Sequence, residues 1–146
     1  MSDDAMKEPL ALYVSALTRD TYKDPLQIIT MIDRGVSYER FSKIREIVPF
    51  TTEEWADYLG ISTKSLRRYE LDQRRFKSLQ SEKILEATEV STLGLEVFGD
   101  YGRYAFWFKR ASIALGGKSP KKLIQSSYGK ELLIDELYRI EHGVFA

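Results

Sequence analysis

The stretch from Lys64 to Lys77 holds the side chains of this sequence that are best suited to contact a polyanion. Its six basic residues are Lys64, Arg67, Arg68, Arg74, Arg75 and Lys77, and only Glu70 and Asp72 oppose them. The whole chain of 146 residues is formally neutral, with 22 basic and 22 acidic side chains. Attraction to nucleic acid must therefore come from this local excess, which favours contact with phosphate groups.

A tight turn between two helices precedes the basic stretch and would position it. Ala56 suits a point where two helices cross closely, and Gly60 can take the positive φ of the turn. Leu66 and Tyr69 then bring apolar groups of the second helix back onto the first. This spacing resembles the helix-turn-helix of the Xre and phage-repressor class of DNA-binding proteins, although Tyr69 stands where an aliphatic residue is more usual.

The second helix of such a unit reads bases with its N-terminal residues. The residues expected near DNA are Thr63, Lys64, Ser65, Arg67 and Arg68, which lie near base edges, and Arg74 and Arg75, which lie in the basic excess beyond them. The alternative is a solvated basic face on an ordinary helical pair, because the same geometry occurs in proteins that bind only proteins. A single unit of this size needs a two-fold partner for useful specificity, so DNA binding implies a dimer.

Prolines and glycines divide the remainder of the sequence into helical pieces, and the predicted fold class is all-α. For example, Asp24 and Pro25 open one helix and Gly35 ends it. We expect eight such pieces, forming a bundle with a helix-turn-helix unit and a C-terminal helical subdomain. The first 23 residues are compatible with a short helix or with a strand that pairs in a dimer.

Composition excludes several classes of function. The absence of cysteine excludes disulfides and thiolate sites, and the single histidine, His142, cannot build a metal site by itself. We find no nucleophile elbow and no phosphate-cradling glycine loop, so we expect neither an enzyme nor a bound cofactor or metal. The acidic start and the lack of a long apolar run predict a cytoplasmic protein without a membrane span.

The C-terminal third, from Phe98 onward, is expected to form a small helical subdomain. Gly116 and Gly117 should end a helix that starts near Gly102, and Pro120 should occupy the first position of the next helix. We expect Gly129 to end that short helix. In the last helix the predicted apolar stripe comprises Leu133, Leu137 and Ile140, widened by Leu132 and Tyr138.

The chain ends on an apolar tip that follows this helix. Gly143 should release the helix, and Val144 and Phe145 are too few to form another element but too apolar to prefer water. Such a tip suits insertion into a pocket of a partner, although docking onto the chain's own core is the more frequent fate of apolar tails. The physical argument leaves both open.

The order of motifs in this region resembles the toxin-binding domain of the Xre/MbcA/ParS-like antitoxins. An FGD element is followed by AFWF, ALGGKSPKKL, SSYG and finally LYRIEHGVFA. The resemblance implies pairing with a RES-domain toxin, an NAD-depleting enzyme encoded in the same operon. It also implies that the C-terminal segment holds the toxin inactive at its active-site cleft, and that the helix-turn-helix represses the operon.

Residue by residue, the resemblance assigns two sets. The folding motif comprises Trp107, Leu115, Gly116, Gly117, Pro120, Leu123 and Gly129, and the segment facing the toxin comprises Arg139, Ile140, Glu141, Gly143, Val144, Phe145 and Ala146. Relatives often carry proline after the tryptophan helix, whereas this chain has Ala111 in that region, a departure expected to lengthen the helix. Arg139 has an equally simple reading as a surface residue beside a glutamate.

The expected organisation is an N-terminal extension at 1–35 that serves dimerisation or is lineage-specific, a helix-turn-helix domain at 36–97 and a toxin-binding domain at 98–146. Operator DNA and the toxin are the expected partners, with a homodimer entering a larger hetero-oligomer. The competing interpretation is a stand-alone transcriptional repressor. A protein scaffold is a third alternative, and it would show no salt-sensitive DNA binding.

Overall fold

The computed structural model describes residues 24–143, and in that range the chain is all-α, as predicted. The helices are α1 Pro25–Arg34, α2 Tyr38–Ile44, α3 Thr52–Leu59, α4 Thr63–Asp72, α5 Ser78–Phe98, α6 Tyr101–Lys109, the 3-10 turn η1 Ile113–Leu115, α7 Pro120–Leu123 and α8 Ser127–His142. None of these helices combines the length and the apolar character needed to span a bilayer. The predictions made for residues 1–23 and for Val144, Phe145 and Ala146 fall outside the described range.

Short polar side chains set the points at which the helices begin. Asp24 caps α1 by accepting a hydrogen bond from the Leu26 backbone N–H at 3.0 Å, and Pro25 follows it as predicted. At α3 the cap is Thr51, whose hydroxyl accepts from the Glu54 N–H while the Glu54 carboxylate accepts from the Thr51 N–H. This reciprocal capping box satisfies donors that the first helical turn leaves unpaired.

One apolar core extends beneath both halves of the described chain. Trp55 is fully buried and packs its ring 4.9 Å from that of Phe41. Phe50, next to Trp55 at 5.1 Å, also contacts Phe108 of α6 at 5.5 Å. The helix-turn-helix and the C-terminal helices therefore share buried aromatic surface, and burial of these rings orients one unit against the other.

Helix α6 ends at Lys109, so the prediction that the tryptophan helix is lengthened is wrong. Arg110 is extended, with φ −102° and ψ 143°. The chain then closes a tight loop in which the Ser112 N–H donates to the Lys118 carbonyl at 3.1 Å and the Gly117 N–H donates to the Ser112 carbonyl at 2.8 Å. Within this loop Leu115 is buried in the core, and Gly116 ends the short turn η1, so Gly116 and Gly117 do not end a helix that starts near Gly102 as predicted.

Two predictions for the last helix also need correction. Gly129 does not end α7, since it lies in the first turn of α8, which Ser126 caps through the Gly129 N–H at 3.0 Å. The core side of α8 carries Leu133 and Leu137, both fully buried as predicted. Leu132 and Tyr138 do not widen this stripe, because both are about half exposed to solvent on the other side of the helix.

Candidate nucleic-acid and protein interfaces

The turn between α3 and α4 has the geometry that the sequence predicts. Gly60 takes the left-handed conformation at φ 70°, and the Ile61 N–H returns to the Ala56 carbonyl at 3.0 Å. Ser62 then caps α4 by accepting from the Ser65 N–H at 3.0 Å. Leu66 is buried against the core, which fixes the rotation of α4 about its axis and determines which of its residues face outward.

The outward face of α4 carries most of the residues predicted to contact base edges. Thr63, Lys64, Arg67 and Arg68 are all exposed, and neither arginine makes an ion pair within residues 24–143. Ser65 is only partly exposed, and its hydroxyl lies 3.1 Å from the Ser62 hydroxyl in the helix cap. Four of the five predicted side chains are therefore free to meet a ligand, whereas Ser65 contributes chiefly to the cap.

The loop after α4 holds its two arginines differently. Arg74 stacks over the Tyr69 ring at 4.9 Å and lies 3.5 Å from the Asp72 carboxylate. Arg75 turns the other way, and its Nη1 donates to the Gly35 carbonyl at 2.8 Å. The backbone supports this arrangement, because the Phe76 N–H donates to the Val36 carbonyl at 2.9 Å. Arg74 thus stays beside α4, and Arg75 lies at the junction of α1 and α2.

Sequence reasoning missed two further arginines near this junction. Arg34 ends α1 and Arg40 lies in the first turns of α2, and both line the same small cavity as Arg75. Each stands next to an acidic residue in the sequence, which hides any local excess of charge. Only the fold brings these three arginines to one cavity, so no spacing within one segment signals the cluster.

In the C-terminal unit the folding motif consists of Trp107 and six residues that follow it in the chain. Trp107 is partly buried, with its ring 5.5 Å from Phe98 and 6.0 Å from Tyr104. The remaining motif residues lie in the loop and helices that follow: Leu115, Pro120 and Gly129 are buried, Leu123 is partly buried, and Gly116 and Gly117 both have positive φ. All these residues take part in folding the unit. Of the seven, only Trp107 also lines the surface groove along α6.

The surface groove along α6 has a volume of about 770 Å³. It lies between Phe98, Trp107 and Phe106, and the Phe106 ring is 61% exposed. Arg110 covers part of that ring with its guanidinium 4.6 Å from the ring centroid. An exposed aromatic groove beside a cation is typical of a protein contact.

The residues predicted to face a toxin begin on the last turns of α8. Arg139 is exposed, and its guanidinium lies 2.6 Å from the carboxylate of Glu136, which is itself largely buried. Ile140 is partly buried, Glu141 is exposed, and Gly143 ends the helix in the left-handed conformation. The Glu136 contact matches the simpler interpretation of Arg139, while the other predicted members, Val144 to Ala146, lie beyond the described range.

An ion pair joins the two units at the surface of the shared core. Lys121 of α7 lies 2.6 Å from the carboxylate of Glu54 in α3. Burial by itself raises the pKa of Glu54, but the hydrogen bond and positive charge of Lys121, with the Thr51 N–H, outweigh burial and lower that pKa. The pair therefore stabilises the charged carboxylate where the helix-turn-helix meets the C-terminal unit.

Comparison with known proteins finds two families that together match most of the chain. Residues 27–86 match the antitoxin Xre-like helix-turn-helix domain, and residues 93–143 match the antitoxin Xre/MbcA/ParS C-terminal toxin-binding domain. The curated protein named antitoxin Xre from Yersinia enterocolitica is 28% identical over 120 residues, which is 82% of this chain and 81% of that protein. Antitoxin Xre from Photorhabdus laumondii is 24% identical over 78% of each chain.

A solved structure has a similar fold. It is the crystal structure of the M. tuberculosis MbcT-MbcA toxin-antitoxin complex, one chain of which superposes with a TM-score of 0.57 and 21% identity. The match covers 73% of this chain and 94% of that one. The two chains therefore share a fold over most of their length.

Proposed function

The chain belongs to the Xre/MbcA/ParS antitoxins, in which a helix-turn-helix domain precedes a C-terminal toxin-binding domain, and on that premise we propose how it acts on its two partners. It is a binding protein of a toxin-antitoxin system and not an enzyme. Its C-terminal segment neutralises a RES-type, NAD-degrading toxin encoded in the same operon. Its helix-turn-helix binds operator DNA and represses that operon.

The exposed basic face of α4 is the observation that carries the DNA-binding half of this proposal. Lys64, Arg67 and Arg68 project from the outward side of a helix whose opposite side is fixed by Leu66. Side chains held in this way reach base edges and phosphates without rearrangement of the helix. Thr63 is exposed at the first position of α4 and adds a hydroxyl to this face, which supports the same proposal.

Two features of the C-terminal unit support the toxin-binding half of the proposal. Helix α8 is anchored in the core by the buried Leu133 and Leu137, and it stays helical up to His142, where Gly143 ends it in the left-handed conformation. The groove of Phe98, Phe106 and Trp107 offers a second apolar contact on the same unit. A partner that covers exposed aromatic side chains gains affinity from their burial, and an anchored helix end lowers the entropic cost of binding.

The proposal includes a homodimer that assembles further with toxin. Helix α1 has no fully buried residue, and it leaves Leu26 and Ile29 exposed on its outer side. Its inner side packs Ile28, Met31 and Ile32 against the core. A second copy that covers Leu26 and Ile29 would provide the two-fold partner that specific operator binding requires.

The deciding experiment is co-expression of this chain with the toxin gene of its operon, followed by measurement of cellular NAD and growth. The full-length chain should preserve NAD, and a chain truncated after Gly143 should fail to do so, because it lacks Val144, Phe145 and Ala146. Both chains should bind operator DNA equally, since the helix-turn-helix lies elsewhere in the fold.

Two controls make this experiment conclusive. Immunoblotting must show equal amounts of both chains, because a degraded chain would mimic a lost contact. A chain carrying Tyr128→Ser, a change to an exposed side chain near the start of α8, should protect NAD as well as wild type. If NAD is never depleted by the neighbouring gene product, the competing interpretation of a stand-alone repressor becomes the better one.

A further inference from the structure

The three arginines Arg34, Arg40 and Arg75 line a cavity of about 280 Å³ at the junction of α1 and α2, and we call it the arginine cavity. The other lining residues are Thr30, Met31, Gly35, Val36 and Ser37, so none of the described residues that line it is acidic. Three guanidinium groups around one small space repel each other unless an anion lies among them.

Only one of the three guanidinium groups has a strong hydrogen-bond partner among the described residues. Arg75 donates from Nη1 to the Gly35 carbonyl at 2.8 Å, which leaves its remaining N–H groups for another acceptor. Arg40 places Nη1 4.0 Å from the Met31 sulfur, a contact too weak to satisfy a cation. Arg34, at the end of α1, makes no ion pair with the described residues. The cavity therefore offers guanidinium donors that lack an anionic acceptor among the described residues.

The backbone around Gly35 explains why Arg75 comes so close to the junction of α1 and α2. Gly35 has φ 86°, and a Cβ at this position would lie 2.3 Å from the Phe76 carbonyl oxygen. The close approach is reinforced because the Val36 N–H donates to the buried Ser81 hydroxyl at 2.9 Å. The loop that follows α4 is thus fastened to the α1–α2 junction, and Arg75 of this loop, three residues beyond the end of the helix proposed to bind DNA, lines the cavity.

We propose that the arginine cavity binds a phosphate group, and that in the operator complex this group belongs to the DNA backbone. Guanidinium groups bind phosphate oxygens through paired, charge-assisted hydrogen bonds, which three converging arginines can supply from several directions. The choice of DNA as the source of phosphate rests on the proposed function. The choice of phosphate as the ligand rests on the cavity alone.

The first test measures DNA binding by the full-length chain with Arg34→Gln and Arg40→Gln together. Arg75 is left intact because its bond to Gly35 supports the loop. Fluorescence anisotropy is recorded over a series of KCl concentrations with a duplex from upstream of the chain's own reading frame and with a shuffled duplex. The affinity should fall roughly tenfold on both duplexes. The slope of log K against log salt should shrink by about one, because one phosphate contact is lost.

A matched control removes the same charge elsewhere. Lys109→Gln with Lys118→Gln deletes two exposed lysines of the C-terminal unit, and it should leave both affinity and salt slope near wild type. If the control variant loses as much affinity as the arginine variant, the cavity has no special role and the proposal is overturned. Circular dichroism melts of all three chains establish that each is folded.

The second test uses inorganic phosphate, so that free phosphate and DNA phosphate are distinguished. At matched ionic strength, phosphate should raise the Tm of the wild-type chain above its value in chloride, and the double arginine variant should lose this difference. Loss of the phosphate effect without any change in DNA binding would assign the cavity to free phosphate. If neither measurement changes in the variant, the proposal fails. If the wild-type chain binds neither duplex, the proposal that it binds operator DNA fails. The Tm measurements in phosphate then still test whether the cavity binds phosphate.

Discussion

Gly94 and Tyr104 are in direct contact, with the aromatic ring lying where any other residue at position 94 would place its Cβ. A Cβ built on Gly94 would be 2.2 Å from Cε1 of Tyr104. The Tyr104 ring is fully buried, and its hydroxyl lies 2.8 Å from the hydroxyl of Ser91, which precedes Gly94 by about one helical turn. This contact sets the closest approach of α5 and α6, and so it positions the C-terminal unit on the long helix.

Gly94→Ala should therefore destabilise the protein although alanine favours helices. The tyrosine ring cannot withdraw without breaking its hydrogen bond to Ser91, and we expect a loss of about 1–3 kcal/mol in the free energy of unfolding. Urea denaturation followed by tryptophan fluorescence would measure this change.

Gly102→Ala is the matched control for this substitution, since it also places alanine on a helix. A Cβ at Gly102 would meet only the Asp100 carboxylate oxygen, at 3.2 Å. We expect a free energy of unfolding equal to wild type or higher by up to about 1 kcal/mol. Equal effects of the two substitutions would show that the Tyr104 contact has no particular importance.

Much of the fold could be predicted from local signals. Asp24, Gly60 and Pro120 each occupy the cap, turn or first-turn position that their residue types indicate. The apolar position of Leu66 predicts which side of α4 packs inward, and most of the candidate DNA-binding side chains are exposed away from it. Such signals act within a few residues, and the sequence displays them directly.

The errors arose where distant parts of the chain decide the local structure. A glycine between two helical segments predicts a helix end at Gly129, but its lack of a side chain serves packing, because a Cβ there would meet the Leu123 carbonyl oxygen of α7. Local signals also predict too long a helix around Trp107, because the bond between Ser112 and Lys118 cannot be inferred from periodicity. The arginine cavity depends in the same way on contacts between separate segments.

Glu54→Gln should weaken the connection between the two units. Because the pKa of Glu54 in the folded chain is below its ordinary value of 4.5, its stabilising contribution is complete above that pH and is lost as the pH falls below it. Glutamine keeps an oxygen for the Thr51 cap but loses the charge that faces Lys121. We expect a loss of about 0.5–1 kcal/mol at pH 7, since the pair is partly exposed, and a smaller difference near pH 3.

A double-mutant cycle with Lys121→Met tests whether this loss comes from the ion pair. In the methionine background, Glu54→Gln should change the free energy of unfolding by much less than in wild type. Urea denaturation of the four chains at pH 7 and at pH 3 gives the coupling energy. A coupling energy near zero at pH 7 would mean that Glu54 acts only through its helix cap.

Substitutions on α4 should separate base recognition from phosphate contact. Arg67→Ala and Arg68→Ala, made singly, are each expected to weaken binding to the upstream duplex by about 1–3 kcal/mol if the side chain reads a base. Removal of a base contact lowers the affinity more for the upstream duplex than for a shuffled one, whereas removal of a phosphate contact lowers the affinity equally for both. Anisotropy titrations at one salt concentration distinguish the two roles, and Lys109→Ala is the control. Wild-type affinity in both arginine variants would rule out the outward face of α4 as the DNA contact.

Leu26→Ser with Ile29→Ser should convert the proposed dimer into a monomer. Both side chains lie on the outer side of α1, where they contribute little to the core, so their replacement should leave the monomer folded. Light scattering coupled to gel filtration gives the mass, and a shift toward 16.9 kDa at a concentration where wild type is dimeric is the expected result. Tyr128→Ser removes an even more exposed apolar group from α8 and should leave the mass unchanged.

Because two-fold operator binding needs both copies, the α1 variant should also lose affinity for a duplex that carries two half-sites while it keeps its affinity for a single half-site. An unchanged mass would place the dimer contact on another surface and remove α1 from the proposal.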